Sequence, residues 1–192
     1  MAGSAYTMFD SGIGRCGIAW GDNGIIGVQL PEAREIETRK RLFHLYPDAR
    51  ELRPPAHVAI AIEGIVALLR GADSDLSEVA LDMTGISNFN QRIYQFARGI
   101  QRGETRTYGE VANLLRMPGT AHSVAQAIAR NPFMIIVPCH RVLEAGNYPD
   151  KISPNGGSIS KRHLLSIEGT PATRGMTLFD VLLPVASPRT QG

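Results

Sequence analysis

Short apolar stretches separated by glycine-rich turns occupy residues 5–30. Two of these stretches, 15–20 and 24–30, flank the sequence Gly21-Asp22-Asn23-Gly24. An Asn-Gly pair favours a tight hairpin turn because both residues tolerate positive φ angles. The pattern therefore predicts a β-hairpin in a small N-terminal sheet, with Cys16 as a buried and unreactive thiol in one of its strands.

Apolar residues at helical spacing follow in two segments. Residues 32–46 predict a charged helix, and Pro54-Pro55 begins a second one. The apolar side of the first helix consists of Leu42, Phe43 and Leu45. An alternation of apolar and polar residues, typical of a half-buried strand, comes after both helices at Val79, Leu81 and Met83. Residues 1–85 are therefore expected to form a small α/β domain.

The remainder of the chain predicts mainly short helices. One helix is expected from Asn88, as its cap, to Gly103. The sequence Thr-Tyr-Gly-Glu at 107–110 is a capping box that opens the next helix. Residues 117–119, Met-Pro-Gly, break that helix, and a further helix is expected over 120–130. Two short helices joined by a tight Pro-Gly turn resemble a helix-turn-helix.

The second helix of this pair has an apolar face and a polar face. At about 100° per residue, one side of the helix carries Ala121, Val124, Ala125 and Ile128. The other side has small and polar side chains and no acid, which suits close approach to a phosphate backbone. Its residues are His122, Ser123, Gln126 and Arg130. An ordinary amphipathic surface helix would give the same pattern.

These elements predict a chain of two domains and a tail. The fold expected is an α/β N-terminal domain, residues 1–85, followed by a mostly α C-terminal domain, residues 86–170. The second domain contains the helix-turn-helix and a short buried strand, residues 133–137, directly before Cys139. Residues 171–192 are expected to form a C-terminal tail.

Charge is distributed unevenly along the chain. Residues 1–90 hold 8 Lys and Arg against 12 Asp and Glu, a net charge of −4, whereas residues 91–192 hold 12 against 6, a net charge of +6. A basic C-terminal half suits an anionic partner, and nucleic acid is the leading candidate. A solvated basic surface is the alternative that the charge alone leaves open.

The two cysteines and the absence of long apolar runs bear on the compartment. Cys16 and Cys139 are far apart in sequence, which favours a reduced, cytoplasmic protein over a disulfide framework. The spacing of cysteines and histidines does not match a zinc site, so we expect no metal. The sequence shows no secretory signal and no apolar run long enough to cross a bilayer, so we expect no membrane association.

Cys139 lies between a proline and a histidine, directly after an apolar run. This placement suggests a presented thiol, and a thiol becomes a good nucleophile when it loses its proton. His140 can accept that proton, and Glu168 in the following helix can orient the imidazole. Adjacent side chains on a strand face apart, so proton transfer between the two residues requires a turn or a bridging water. The Cys-His pair alone does not separate catalysis from coincidence.

The wider pattern resembles a known family. Pro138-Cys139-His140-Arg141-Val142, preceded by Asn131-Pro132, resembles the active-site motif of O6-alkylguanine-DNA alkyltransferases. The resemblance covers about residues 86–169. It also includes Phe89-Asn90-Gln91, Arg102-Gly103-Glu104-Thr105, Thr107-Tyr108-Gly109, Gly156-Gly157, Lys161, Leu164-Leu165 and Glu168.

The resemblance implies stoichiometric DNA repair. An O6-alkylated guanine is rotated out of duplex DNA, and its alkyl group is transferred to a cysteine that is not regenerated. By this resemblance Cys139 is the nucleophile, and His140 relays its proton through water with Glu168 behind it. Tyr108 protonates the leaving guanine, and Asn131 holds the active-site turn. The resemblance implies no cofactor, and we expect a monomer acting on double-stranded DNA that carries O6-alkylguanine.

The resemblance also implies the residues that contact the substrate and the DNA. The substrate contacts expected are Pro138, Val142, Asn155 and Gly156. The DNA contacts expected are Thr120, Ala121, His122, Ser123, Gln126 and Arg130. Arg141 is expected to tie the motif to the N-terminal domain.

Three features depart from the family pattern. The family usually has an arginine where this chain has His122, and usual glycines are replaced by Ala125 and Gln126. The loop between Cys139 and Gly156 is longer than expected and lacks the usual tyrosine. Two alternatives therefore stay open: a thiol alkyl acceptor for an alkylated substrate other than duplex DNA, and a non-catalytic helix-turn-helix protein that binds lesions.

Overall fold

The computed structural model, which describes residues 3–145 and 159–170, begins with a four-stranded mixed sheet in the order β3-β2-β1-β4. Its strands are β1 (Ala5–Ser11), β2 (Gly14–Gly21), β3 (Gly24–Gln29) and β4 (Arg50–Glu51). Strands β1, β2 and β3 are antiparallel neighbours, and β4 is parallel to β1. The predicted hairpin is confirmed. Its turn requires Gly24, which has a φ of 132° and would bring a Cβ within 2.5 Å of the Ala80 carbonyl oxygen.

Two helices accompany the sheet, α1 (Glu35–Leu45) and α2 (Ala56–Leu69). The interpretation of α1 was partly wrong, because Phe43 and Leu45 are 59% and 44% exposed. Only a single row of side chains in α1, Thr38 and Leu42, is buried, and Phe43, one position beyond Leu42, points to solvent. Helical spacing predicts a buried side of α2 made of Val58, Ile62, Ile65 and Leu69. The structure buries three of these residues together with Ala61, and Ile62 is half-buried.

The strand expected at 79–83 is reduced to one isolated bridge between Leu81 and Ile25. The segment instead reaches the sheet through two backbone hydrogen bonds, from Ile25 N to Ala80 O and from Asp82 N to Ile25 O. Because the two segments pair only at this point, residues 79–83 alternate between apolar and polar side chains without forming a regular β-ladder.

The C-terminal part of the chain consists mainly of short helices. Its elements are α3 (Asn88–Arg98), β5 (Arg106–Thr107), α4 (Tyr108–Leu114), α5 (Ala121–Ala129), β6 (Val142–Leu143) and α6 (Lys161–Glu168). Helix α3 is capped by the side chain of Ser87 and not by Asn88, and it ends before Gly103. The fold class is confirmed, since a mixed N-terminal sheet precedes a helical region.

The helix-turn-helix is formed by α4 and α5. The capping box is confirmed: Glu110 N donates to Thr107 Oγ1 at 3.2 Å, and Thr107 N donates to Glu110 Oε2 at 2.6 Å. Helix α5 buries Val124, Ala127 and Ile128, so the buried face is rotated relative to the expectation that included Ala125. The expected polar side, His122, Ser123, Gln126 and Arg130, is exposed.

The expected strand at 133–137 is buried, but it is not a strand. Ile135 has a φ of 71°, which turns the chain, and Val137 N donates to Phe133 O at 2.8 Å. Asn131 stabilises this turn by accepting from Phe133 N at 2.9 Å and donating to Val137 O at 3.0 Å. The short strand of this region, β6, follows Cys139 and pairs with β5.

A single buried apolar cluster joins the two parts of the chain. It includes Ile18 and Val28 of the sheet, Ile65 of α2, and Ile93 and Ile128 of the C-terminal helices. Residues on both sides of the expected boundary after residue 85 therefore share one core. Within the described residues, no helix is both long and apolar enough to cross a membrane.

Candidate active site

Cys139 opens a short 3₁₀ turn formed by Cys139–Arg141, and its side chain is fully buried. Proton transfer between Cys139 and His140 requires a turn or a bridging water, and the 3₁₀ turn changes the chain direction between these two residues. The thiol lies 3.6 Å from the Met134 sulfur. Burial raises the pKa of the Cys139 thiol, and the positive charge of Lys161 and a hydrogen bond with Asn131 offset this only in part. The thiol therefore needs a base to accept its proton when it reacts.

His140 and Glu168 form a buried pair with 2.7 Å between Nε2 and Oε1. Burial alone would raise the pKa of Glu168, but hydrogen bonds and charges from His140 and Arg141 lower it to about 2. Burial lowers the pKa of His140, and Glu168 counteracts that only in part. At neutral pH the imidazole is therefore neutral, and its hydrogen lies on Nε2 because the ionised carboxylate can only accept.

The other imidazole nitrogen of His140 is the potential base of the site. Nδ1 is buried and has no hydrogen-bond partner among the described residues. With the hydrogen on Nε2, Nδ1 carries a lone pair and can accept a proton. A neutral imidazole with one nitrogen fixed by a carboxylate and the other able to accept is the arrangement that general-base chemistry requires.

Arg141 binds Glu168 through two nitrogens. Its Nε lies 3.1 Å from Oε2 and its Nη2 lies 2.7 Å from Oε1, while Nη1 donates to Ile100 O at 2.6 Å. The expected tie to the N-terminal domain was wrong, because the guanidinium is directed at α6 and at the end of α3. Arg141 instead keeps the Glu168 carboxylate ionised and fixed in place.

Tyr108 and Lys161 form a second polar pair. Lys161, which is 7% exposed, donates from Nζ to the Tyr108 hydroxyl at 3.0 Å and to Val142 O at 2.9 Å. An ammonium group cannot accept, so the Tyr108 oxygen accepts from Lys161 and can donate its own hydrogen elsewhere. Sequence reasoning did not assign Lys161 to the site. The only indication in the sequence is that Lys161 is one of the residues that match the last part of the family pattern.

The structure brings some of the remaining expected residues to this site. Asn131 is fully buried and holds the turn that leads to Cys139. Pro138 and Val142 flank the 3₁₀ turn and are buried. Asn155 and Gly156 lie outside the described residues.

The backbone around the 3₁₀ turn is already hydrogen-bonded. The Val142 N–H donates to Cys139 O, and Val142 O accepts from Lys161. Each of these carbonyl oxygens keeps a second lone pair, so each can accept one more hydrogen bond.

A cavity of about 620 Å³ lies behind the 3₁₀ turn and borders Pro138 and Arg141. Among the described residues, its lining does not include Cys139, Tyr108 or Lys161. Cys139, His140 and Tyr108 therefore do not line this space, and we do not assign it to the substrate.

The expected DNA contacts lie together on one side of α5. Thr120 precedes the helix, Ala121 is half-buried, and Ser123 and Arg130 are exposed. His122 Nε2 lies 2.9 Å from Gln126 Nε2, so two of the departures from the family pattern contact each other. Helix α5 leads directly into Asn131 and the turn that carries Cys139, and the Tyr94 hydroxyl ties its last turn to α3 through Ala127 O at 2.9 Å.

The known proteins that this chain is similar to belong to one family. Residues 88–170 match the family described as 6-O-methylguanine DNA methyltransferase, DNA binding domain. The chain is 35% identical to methylated-DNA–protein-cysteine methyltransferase of Mycobacterium tuberculosis, over 91% of this chain and 98% of that protein. The protein of the same name from Methanothermobacter thermautotrophicus is 32% identical, over 80% and 78%. A crystal structure of Mycobacterium tuberculosis OGT in complex with DNA superposes with a TM-score of 0.67 and 30% identity, over 85% and 92%.

Proposed function

Because the chain belongs to the methylated-DNA–protein-cysteine methyltransferase family, it repairs alkylated DNA by transferring the alkyl group to a cysteine, and we propose that this cysteine is Cys139. The substrate we propose is O6-alkylguanine in double-stranded DNA. The observation that carries the assignment is the buried His140–Glu168 pair next to Cys139. The other thiol, Cys16, lies in β2 near Ser11, and burial raises its pKa to about 11. Within residues 3–145 and 159–170, the hydrogen-bond partners of the Cys16 sulfur are Ser11 and Gly14, and neither is a base comparable to His140.

The thiol of Cys139 is activated by its neighbour. Nδ1 of His140 takes the thiol proton through a bridging water, and Glu168 stabilises the imidazolium that results. The sulfur then attacks the alkyl carbon, the bond between that carbon and guanine O6 breaks, and its electron pair leaves with the guanine. The product is a thioether, which water does not cleave, so each molecule reacts once.

The leaving guanine is stabilised by Tyr108. Its hydroxyl donates a proton to the guanine as negative charge develops there. The Lys161 ammonium, 3.0 Å from the hydroxyl oxygen, stabilises the phenolate that remains. The Cys139 and Val142 carbonyls, each with a lone pair left, bind the guanine edge, and Pro138, Asn155 and Gly156 complete the pocket.

Duplex DNA binds to the exposed side of α5. Ser123, Gln126 and Arg130 approach the phosphate backbone together with Thr120 and Ala121 at the start of the helix, in a part of the sequence with net positive charge. His122 fills the space that the extruded base leaves. We place this activity in a cytoplasmic monomer, with residues 86–170 as the DNA-binding and catalytic domain.

Intact-protein mass spectrometry tests this proposal. The protein is incubated with a duplex that contains one O6-methylguanine, and an unmodified duplex is the control. We expect one methyl group per chain with the lesion and none with the control.

Two other results would favour the alternatives. Transfer from free O6-benzylguanine without transfer from the duplex would favour an acceptor for another substrate. Tight binding of the lesion duplex without any mass increase would favour a non-catalytic lesion-binding protein.

A further inference from the structure

Arg102 lies just after α3, where the ends of two other helices meet. Its Nη2 donates to Gly71 O at 2.6 Å, and its Nε donates to Glu168 O at 3.3 Å. Gly71 follows Arg70, the residue that caps the C-terminus of α2, and Glu168 is the last residue of α6. The last carbonyls of a helix lack partners within the helix and carry partial negative charge. A single guanidinium therefore caps the C-terminus of α6 and joins it to the residue that follows the C-cap of α2.

The two helix ends are nearly in contact. Gly71 has a φ of 82°, and a Cβ at this position would lie 3.3 Å from Ile167 O in the last turn of α6. Two helix C-termini brought so close would repel each other without a positive charge between them. Arg102 supplies that charge, and its planar fork of donors can reach two acceptors in fixed directions.

This contact bears on the candidate site because Glu168 is the carboxylate that fixes His140. The side chain of Glu168 is held by His140 and Arg141, whereas its backbone is held by Arg102. We propose that Arg102 is a positioning residue for alkyl transfer: by fixing the backbone of Glu168, it sets the carboxylate against His140 Nε2. This role rests on the proposed function of Cys139 and His140.

Arg98 provides a matched control. It is also half-buried, is the last residue of α3, and donates from Nη2 to the carbonyls of Leu76, Ser77 and Val79. These carbonyls belong to a loop that makes no contact with His140 or Glu168 among the described hydrogen bonds. Loss of Arg98 should therefore cost stability without moving the catalytic carboxylate.

The test compares wild type with Arg102→Ala, Arg102→Lys and Arg98→Ala. Single-turnover transfer from free O6-benzylguanine is measured from pH 6 to 9, together with the thermal midpoint. We expect Arg102→Ala to slow transfer about tenfold, less than the roughly 10²–10⁴-fold that general acid–base catalysis contributes, because the carboxylate is displaced and not removed. Its rate should also rise more steeply with pH across this range, because a displaced Glu168 stabilises the imidazolium less and more of the thiolate must then form by loss of its proton to solvent. Arg102→Lys should recover part of the rate, and Arg98→Ala should lower the midpoint while leaving the rate unchanged.

The possible failures are distinguishable. If wild type transfers the alkyl group and Arg102→Ala transfers it at the same rate and with the same pH profile, Arg102 is only a structural cap and the positioning role is overturned. If wild type itself accepts no alkyl group, the proposed function is overturned and the positioning role with it. If Arg102→Ala does not fold, Arg102→Lys decides, since a slower rate at an unchanged midpoint supports positioning and an unchanged rate contradicts it.

Discussion

Nε2 of His140 donates to Glu168 across 2.7 Å, and the two side chains are only 3% and 7% exposed. Arg141 holds the same carboxylate from the other side and keeps it ionised. Because Nε2 carries the hydrogen of the neutral imidazole, the Nδ1 lone pair can accept a proton. A base of this kind explains how a thiol with a raised pKa can react.

Replacing Glu168 with glutamine should slow alkyl transfer. The amide oxygen can still accept from Nε2, but it has no charge to stabilise the imidazolium. We expect a loss of about a hundredfold in the single-turnover rate, with binding of duplex DNA unchanged. Glu104→Gln, a change at an exposed carboxylate paired with Arg106, is the control and should react like wild type. An unchanged rate for Glu168→Gln between pH 6 and 9 would remove Glu168 from the mechanism.

The same substitution should have a pH-dependent effect on stability. The folded-state pKa of Glu168 is about 2, below its ordinary value of 4.5. Its contribution to stability is therefore fully present above pH 4.5 and is lost as the pH falls towards 2. Glu168→Gln leaves Arg141 buried without a carboxylate, so we expect a loss of about 3 kcal/mol at pH 7. Urea unfolding should show this difference shrinking at pH 3, and a difference that is constant with pH would contradict the assignment.

Local chemistry explains which elements were predictable from the sequence. The Asn23-Gly24 turn and the Thr107–Glu110 capping box depend on neighbouring residues, and both were confirmed. The apolar run at 133–137 resembles a strand, but its conformation is set by side-chain hydrogen bonds of Asn131, which apolar patterning does not detect.

Other features depend on residues far apart in the sequence. Phe43 is exposed because the sheet accepts only one row of α1 side chains. Lys161 was not predicted as a site residue because its burial depends on Tyr108, 53 positions earlier. The Cys139-His140 pair can be read directly from the sequence. The tautomer of His140 cannot, because it depends on the ionised carboxylate of Glu168, which lies 28 positions later.

Lys161→Met should separate the roles of charge and packing. Methionine fills similar volume but cannot donate to the Tyr108 hydroxyl or stabilise its phenolate. We expect alkyl transfer to slow by about tenfold to a hundredfold, with little loss of stability because a buried charge is replaced by an apolar side chain. Tyr108→Phe should slow the reaction similarly, and the double variant should be no slower than the worse single one. Fully additive effects in this cycle would show that the two residues act independently.

His122 should affect duplex repair and not the chemistry of the thiol. A longer, planar and permanently charged arginine fills a gap in the base stack better than an imidazole. We expect His122→Arg to speed repair of duplex DNA and His122→Gly to slow it, with the reaction of free O6-benzylguanine unchanged. Ala129→Gly, in the last turn of the same helix and outside the proposed DNA contacts, is the control for helix stability. Duplex repair by His122→Gly at the wild-type rate would favour a substrate other than duplex DNA.

The site of the adduct tests the central claim most directly. Wild type, Cys139→Ser and Cys16→Ser are each incubated with duplex DNA containing O6-methylguanine, digested, and mapped by tandem mass spectrometry. We predict one S-methylcysteine at Cys139 in wild type and in Cys16→Ser, and no methylated cysteine in Cys139→Ser. Methylation of Cys16, or methylation that survives the loss of Cys139, would contradict the account.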